Sequence, residues 1–366
     1  MLKEGKFGAH EAVCLATIAM SNKVFFTAPS YLTRTVGTAG WYMTIISCGL
    51  ASIYFAFIYL LLKRFPGKNI IEIYDKVLGR LMGFVFSFIL MGTFMAYSGI
   101  FSREFADVIK TYNFPITPLS VLTGAVIIVA GIAVLLGLEA IARTAKLAAY
   151  AALLGFILLI ILVSPYFRFA HILPFMGYGI GKTVTTGVLR STAYAEVFIL
   201  AVFAGSLQGL RHIKKAGYIS LLVSGLILSS GLLVFSLIFE YTSTVEITAP
   251  IYVTTRLMKF GNFYQRMEPI FLFVCIITTV IYVSILFYTT ISIYCKMFRI
   301  QDRRPLIIPI GVLIFTVAIF PKDMLSVIAR YIQGIRMLGN IPFFILPIIV
   351  LIVAVLRKKK GETPDA

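Results

Sequence analysis

AMSNKVFFTAPSYL, residues 19–32, places a lysine in the middle of an apolar run long enough to cross a bilayer. An ionisable side chain at mid-membrane costs roughly 2.5–3.5 kcal/mol on insertion scales, so it normally faces a cavity or a partner. Ser21 and Asn22 precede Lys23, and Pro29 follows it. Such a series is a poor helix centre. A second stretch, RSTAYAEVFILAVFAG at residues 190–205, does the same with Glu196, beside Ser191, Thr192 and Tyr194. On this reading Lys23 and Glu196 are the only clear mid-span charges.

The rest of the 366-residue chain fits that context. It is 60% apolar, 14% aromatic and only 13% charged, which excludes a water-soluble globule. The net charge of +18 does not point to nucleic acid, because Lys and Arg are interspersed between hydrophobic runs. Spanning helices need about 20 apolar residues each. The pattern predicts ten, at about 9–33, 39–62, 81–102, 118–137, 143–163, 186–208, 216–239, 268–295, 306–320 and 341–356. Most of the basic residues fall in one alternate set of loops, including Lys3, Lys6, Lys63, Arg64, Lys214, Lys215 and the run from Arg357 to Lys360. That bias places both termini in the cytoplasm. The fold class is therefore all-α, a polytopic membrane protein whose residues 1–366 form one domain. Cys14, Cys48, Cys275 and Cys295 read as buried thiols, and no cleaved signal peptide is expected.

If ten spans divide into two fives, about 7–163 and 186–356, the polar stretches occupy equivalent first and sixth helices. Inverted-repeat transporters build their substrate sites from broken helices in corresponding positions. Lys23 and Glu196 are then either an ion pair tying the halves together or groups lining a ligand cavity. The two roles are compatible if the pair gates the cavity. The third span, with Thr93, Tyr97 and Ser98, and the eighth, with Thr278, Thr279, Tyr282 and Ser284, are expected to pack on this centre. Gly92 and Gly99 would allow close helix approach. The tyrosines can hydrogen-bond a small polar ligand, although Tyr, Ser and Thr also serve as interhelical glue. Arg103, Glu104 and Asp107 read as charges at the outer end of the third helix, with Arg103 and Asp107 at pairing distance; Glu139, Arg143 and Lys146 read as the cytoplasmic start of the fifth, and Arg266 and Glu268 as the start of the eighth. Residues 164–185 and 240–267, the latter acidic at Glu240 and Glu246 and basic at Arg256, Lys259 and Arg266, are long external segments that read as interfacial padding or lids. The three histidines have no metal spacing and no hydrolase or nucleotide motif occurs, so neither an enzyme nor a cofactor is expected.

The sequence resembles the spore permease family, the B-subunits of bacterial endospore germinant receptors, within the amino acid–polyamine–organocation superfamily. The carriers are Met20 and Pro29 around the first break, Gly40-Trp41, Phe101-Ser102-Arg103 with Ala106-Asp107, Ala195-Glu196-Val197, Arg266-Met267-Glu268, Pro321-Lys322-Asp323, and the Pro347 span with its basic tail. They run through nearly the whole chain, from about Phe7 to Lys360. The resemblance implies a LeuT-type 5+5 inverted repeat with broken helices 1 and 6. It implies a subunit that senses a small nutrient, typically an amino acid, in the spore inner membrane with an A-subunit and a lipoprotein C-subunit. The pocket carried over lies among the first break (Ser21, Asn22, Lys23), Tyr97, Ala193, Tyr194 and Tyr282, and Thr93, Glu196 and Thr278 complete the candidate ligand-binding set. Relatives usually carry a Gly-x-Gly-like break where this chain has Ser21-Asn22-Lys23. Lys23 could supply a fixed cation for a carboxylate, stand in for a coupling ion, or be neutralised by Glu196. A secondary transporter of amino acids or amines and a purely structural membrane scaffold are the competing readings.

Overall fold

The structure is a computed structural model that describes residues 7–241, 247–257 and 268–361. Helices dominate these residues, and the one β contact among them is an isolated bridge between Phe7 and Leu207. Seven helical runs are long and apolar enough to cross a membrane: Ala28–Arg64, Arg80–Tyr112, Leu119–Leu136, Leu138–Tyr166, Leu210–Ile238, Glu268–Phe298 and Met324–Leu356. Arg304–Ile319 is a shorter apolar helix. Leu60, Phe88, Ile128, Leu154, Leu222, Ile308 and Ile352 point outward and exposed. Fully bonded helical backbones with greasy outer faces are what a hydrocarbon solvent demands. The chain is an integral membrane protein.

In chain order the elements are α1 (Ala9–Ser21), α2 (Ala28–Val36), α3 (Gly40–Arg64), α4 (Ile70–Leu78), α5 (Arg80–Tyr112), α6 (Leu119–Leu136), α7 (Leu138–Val163), α8 (Ile180–Leu189), α9 (Ile199–Val202), α10 (Leu210–Ile238), α11 (Pro250–Thr255), α12 (Glu268–Phe298), α13 (Arg304–Ile319) and α14 (Met324–Leu356). α1 is buried nearly all round from Ala12 to Ser21 and packs against α7, α10 and α12. A helix without a polar face belongs inside a bundle, and α1 sits there. α3 packs along α10, and α5 against α12 and α13. Single-residue turns join α4 to α5 and α6 to α7, at Gly79 (φ 90°) and Gly137 (φ 99°). Only glycine adopts these angles without strain.

Three boundaries differ from the sequence expectation. The third span runs to Tyr112 instead of ending near residue 102, because Arg103 and Asp107 pair with each other and Glu104 is hydrogen-bonded by Thr27. The last begins at Met324, about five turns early, and contains π-helical turns at Val327–Tyr331 and Ile341–Ile345. The sixth is not one α-helix, since Ser191–Phe198 is 3-10 helical. At Gly99 an added Cβ would stand 2.7 Å from Val317 Cγ1 of α13, so this glycine does permit close approach, whereas Gly92 has open space around it.

Basic segments gather at one end. Arg64 Nε donates to Lys359 O at 2.7 Å, and Lys359 Nζ to Lys76 O at 2.8 Å. At the other end residues 164–179 lie over the α2–α3 junction, where the Tyr42 hydroxyl donates to Phe175 O at 3.2 Å and Tyr178 N to Val36 O at 3.3 Å. Beside them, α11 meets α5 through Asn113 Nδ2, which donates to the Tyr252 hydroxyl at 2.9 Å. Lys3, Lys6, Glu246, Lys259, Arg266 and Met267 lie outside the described residues.

Candidate functional site

The first interruption is written into its residues. α1 ends at Ser21, a 3-10 turn covers Asn22–Phe25, and Phe26 (φ −105°, ψ −149°) leaves helical geometry. Pro29 sits in the first turn of α2, where its missing N–H costs nothing. The exposed N–H end of α2 is met by a carboxylate: Thr27 N and Thr27 Oγ1 both donate to Glu104 Oε1, at 3.1 and 2.5 Å. A negative charge at a helix N-terminus is favoured by the dipole.

The second interruption is tied to α14. Thr192 Oγ1 donates to Arg336 O at 2.8 Å, Ser191 Oγ to Asn340 Oδ1 at 3.2 Å, and Arg190 Nη2 to Gln333 Oε1. Gln333, Arg336 and Asn340 stand three and four residues apart and so share one helix face. These side chains and carbonyls hold Ser191–Phe198 out of regular α-helix from the side.

The two interruptions meet at an ion pair. Lys23 Nζ lies 2.5 Å from Glu196 Oε2 and donates to Ala193 O at 2.6 Å. The Tyr282 hydroxyl donates to Glu196 Oε1 at 3.0 Å, and Asn22 Nδ2 to Thr279 Oγ1 at 3.3 Å. Lys23 and Glu196 are 2% and 0% exposed, so water does not screen them. An aromatic wall closes the centre: Tyr97 and Tyr282 each pack on Phe101, with ring centroids 5.6 and 5.5 Å apart. The side chains of the centre are buried from solvent. One hollow of about 210 Å³ runs beside α1, towards α7 and α10, and of the candidate residues it touches Ser21 alone.

Asn22, Lys23, Ala193, Glu196 and Tyr282 thus converge, with Tyr97 behind Phe101. The remaining expected residues turn elsewhere. Ser21 Oγ donates to Thr17 O, Thr93 Oγ1 to Ile89 O from a half-buried position, and Thr278 Oγ1 to Val274 O, all within their own helices. The Tyr194 hydroxyl donates to Thr44 O of α3 at 3.1 Å. Thr279, one residue on from Thr278, is the threonine that faces the centre.

Lys23 and Glu196 are not the only buried charges, which corrects the sequence reading. Arg103, Glu104, Asp107 and Arg336 are 3%, 1%, 7% and 5% exposed. Arg103 Nε pairs with Asp107 Oδ2 at 3.0 Å, as their spacing implies, and its Nη1 donates to Ala318 O at 3.1 Å. Arg336 rests over the Phe101 ring at 5.7 Å. The spacing of Gln333, Arg336 and Asn340 was the available signal for an inward-facing polar stripe. Among the described residues no group of three or more His, Cys, Asp or Glu is arranged to hold a metal ion.

Comparisons place this geometry in context. A family profile described as "Spore germination protein" matches residues 9–327. Spore germination protein KB of Bacillus subtilis (strain 168) is 27% identical over 342 residues, covering 89% of each chain. Spore germination protein A2 of the same organism is 22% identical over 378 aligned positions, covering 97% of each. Among solved structures, Mhp1, a nucleobase-cation-symport-1 family transporter in a closed conformation with bromovinylhydantoin bound, superposes with a TM-score of 0.61. That match is 14% identical and covers 92% of this chain and 79% of Mhp1.

Proposed function

This chain belongs to the spore germination protein family, and from that premise we propose that it is the permease-like subunit of a germinant receptor that senses a small nutrient, an amino acid in the first instance. The single observation that carries the reading is the meeting of two interrupted helices at a buried, hydrogen-bonded Lys23–Glu196 pair. A scaffold would not need to spend buried charge there, while a ligand chamber uses such groups to orient what it binds. The Lys23, Glu196, Asn22, Thr279 and Tyr282 side chains form the chamber wall in this proposal, with the Ala193 carbonyl and Tyr97.

Ten passes are the topology that best suits this role. The seven long apolar helices, the shorter Arg304–Ile319 and the two interrupted segments together supply ten. The superposition on a transporter of known structure supports a 5+5 arrangement with interruptions in passes one and six. The basic end, where Arg64, Lys76 and Lys359 meet, is then cytoplasmic and carries the C-terminus. Spore inner membrane is the matching location, with A- and C-type subunits as partners.

The closed centre has to open for a ligand to enter, so sensing is a shift between two states that bind the nutrient unequally. The test is a thermal-shift screen of the purified protein in lipid nanodiscs against the twenty amino acids and a set of nucleosides. A receptor pocket gives a saturable rise in melting temperature with a few related compounds. A flat response across the panel overturns the reading. Concentrative uptake into proteoliposomes by this chain alone would instead make it a transporter.

A further inference from the structure

Two buried charges at this centre each have an unused valence. Glu104 spends Oε1 on Thr27, and its Oε2 is buried with no hydrogen-bond partner. Arg336 Nε is likewise buried and unpartnered. Among the other interior charges Lys23 pairs with Glu196 and Arg103 with Asp107, while the half-buried Arg190 gives Nη2 to Gln333 and leaves Nη1 unpartnered. Glu104 and Arg336 lie within electrostatic reach of each other, yet no ion pair joins them. A carboxylate oxygen and a guanidinium nitrogen, both desolvated and both open, are costly to keep unless something occupies them.

We propose that Arg336 and Glu104 form a zwitterion clamp, in which the guanidinium binds the carboxylate of an α-amino acid and the free Glu104 oxygen binds its ammonium group. The inference rests on the pocket reading above and adds which residues recognise the two charges. A guanidinium presents a planar donor fork suited to a carboxylate. The Phe101 ring, 5.7 Å from the guanidinium carbon, gives Arg336 a cation–π partner on one side.

Each half of the clamp is anchored to a different interruption. Thr27, at the start of α2, holds Glu104. Thr192, in the 3-10 segment, holds the carbonyl of Arg336. A molecule bridging the two charges therefore ties the first interruption to the second and to α14, and an occupied clamp favours one arrangement of these elements over another.

The clamp predicts a selectivity that a neutral pocket would lack. A compound without the carboxylate leaves Arg336 unpaired, and one without the amine leaves Glu104 unpaired; rejection of such analogues reaches large factors when buried polar groups are stranded. The experiment uses the full chain in nanodiscs and three probes: the protein amino acid that stabilises it most, the primary amide of that amino acid, and its 2-hydroxy acid. Wild type should prefer the amino acid over either analogue by about 100-fold. Arg336→Gln should reduce the preference over the amide to about threefold or less while retaining the preference over the hydroxy acid. Glu104→Gln, which keeps an oxygen for Thr27, should do the reverse. Arg336→Lys should restore part of the preference over the amide. Should Arg336→Gln fail to assemble, the preference over the hydroxy acid in Glu104→Gln decides alone. Wild-type preferences that survive both variants overturn the clamp and leave the pocket reading standing. A wild type that answers no amino acid overturns both.

Discussion

Replacing Lys23 by Met removes a cation whose Nζ makes two short contacts, 2.5 Å to Glu196 Oε2 and 2.6 Å to Ala193 O, in a site where both charged side chains are at most 2% exposed. Glu196 then keeps only the Tyr282 hydroxyl, and the Ala193 carbonyl loses its bond from the ammonium. Breaking one side of a buried pair costs about 3–5 kcal/mol. At about 2 °C per kcal/mol this lowers the melting temperature by roughly 6–10 °C. Adding Glu196→Gln to Lys23→Met removes the stranded charge while keeping an acceptor for Tyr282. The remaining loss is the charge-assisted hydrogen bond from Lys23 to the Ala193 carbonyl, about 1.5–3 kcal/mol. The double variant is therefore more stable than the Lys23→Met single variant, and the coupling energy from the cycle is about 2 kcal/mol or more. Melting temperatures of the four proteins in the same nanodiscs supply the assay. Additive effects, with coupling under about 0.5 kcal/mol, would refute the claim that these two residues are energetically joined.

Packing and capping give further expectations. An added Cβ at Gly217 of α10 would stand 2.0 Å from Phe55 Cζ of α3, so Gly217→Ala should destabilise the protein by about 1–3 kcal/mol, measured as a lower melting temperature. Asp323 caps the start of α14, accepting from Ser326 N at 2.6 Å, and that bond holds its carboxyl below the usual carboxylate range. The stabilisation is complete above about pH 4 and fades as pH falls through the lowered value, so the protection of the amides at residues 324–326, taken against their intrinsic exchange rate at each pH, should fall on acidification in wild type and be low at all pH values in Asp323→Ala.

The centre was legible in the sequence where a charge broke a hydrophobic run. Lys23 and Glu196 stood out because nothing near them in sequence neutralises them, and their partners are 173 residues apart. Glu104 and Arg336 did not stand out, for the opposite reason. Arg103 and Asp107 cluster with Glu104, so it reads as a charge at a helix end, and Lys322, Arg330 and Arg336 precede the last predicted span. In the fold, Arg103 satisfies Asp107 four residues on, Thr27 holds one oxygen of Glu104, and α14 turns Arg336 inward, so the helices continue through their charges.

Finer choices needed the third dimension. Thr278 and Thr279 differ by one position, yet successive residues of a helix do not share a face; only Thr279 reaches Asn22. Tyr194 was expected beside the ligand, and its hydroxyl instead donates to a carbonyl of α3. No periodicity identifies which neighbouring helix a tyrosine will choose. The 3-10 form of Ser191–Phe198 depends on Gln333, Arg336 and Asn340, well over a hundred residues away.

The account stands most directly on whether the Ala193 position, where the second interruption receives Lys23, is reached from water when the protein opens. In a background with Cys14, Cys48, Cys275 and Cys295 replaced by Ala, Ala193→Cys should react with a membrane-impermeant methanethiosulfonate reagent, and the amino acid that best stabilises the wild type should slow the reaction at least tenfold. A thiol at this position that stays unreactive, or one that reacts at the same rate with and without that amino acid, would contradict a ligand chamber between the two interruptions.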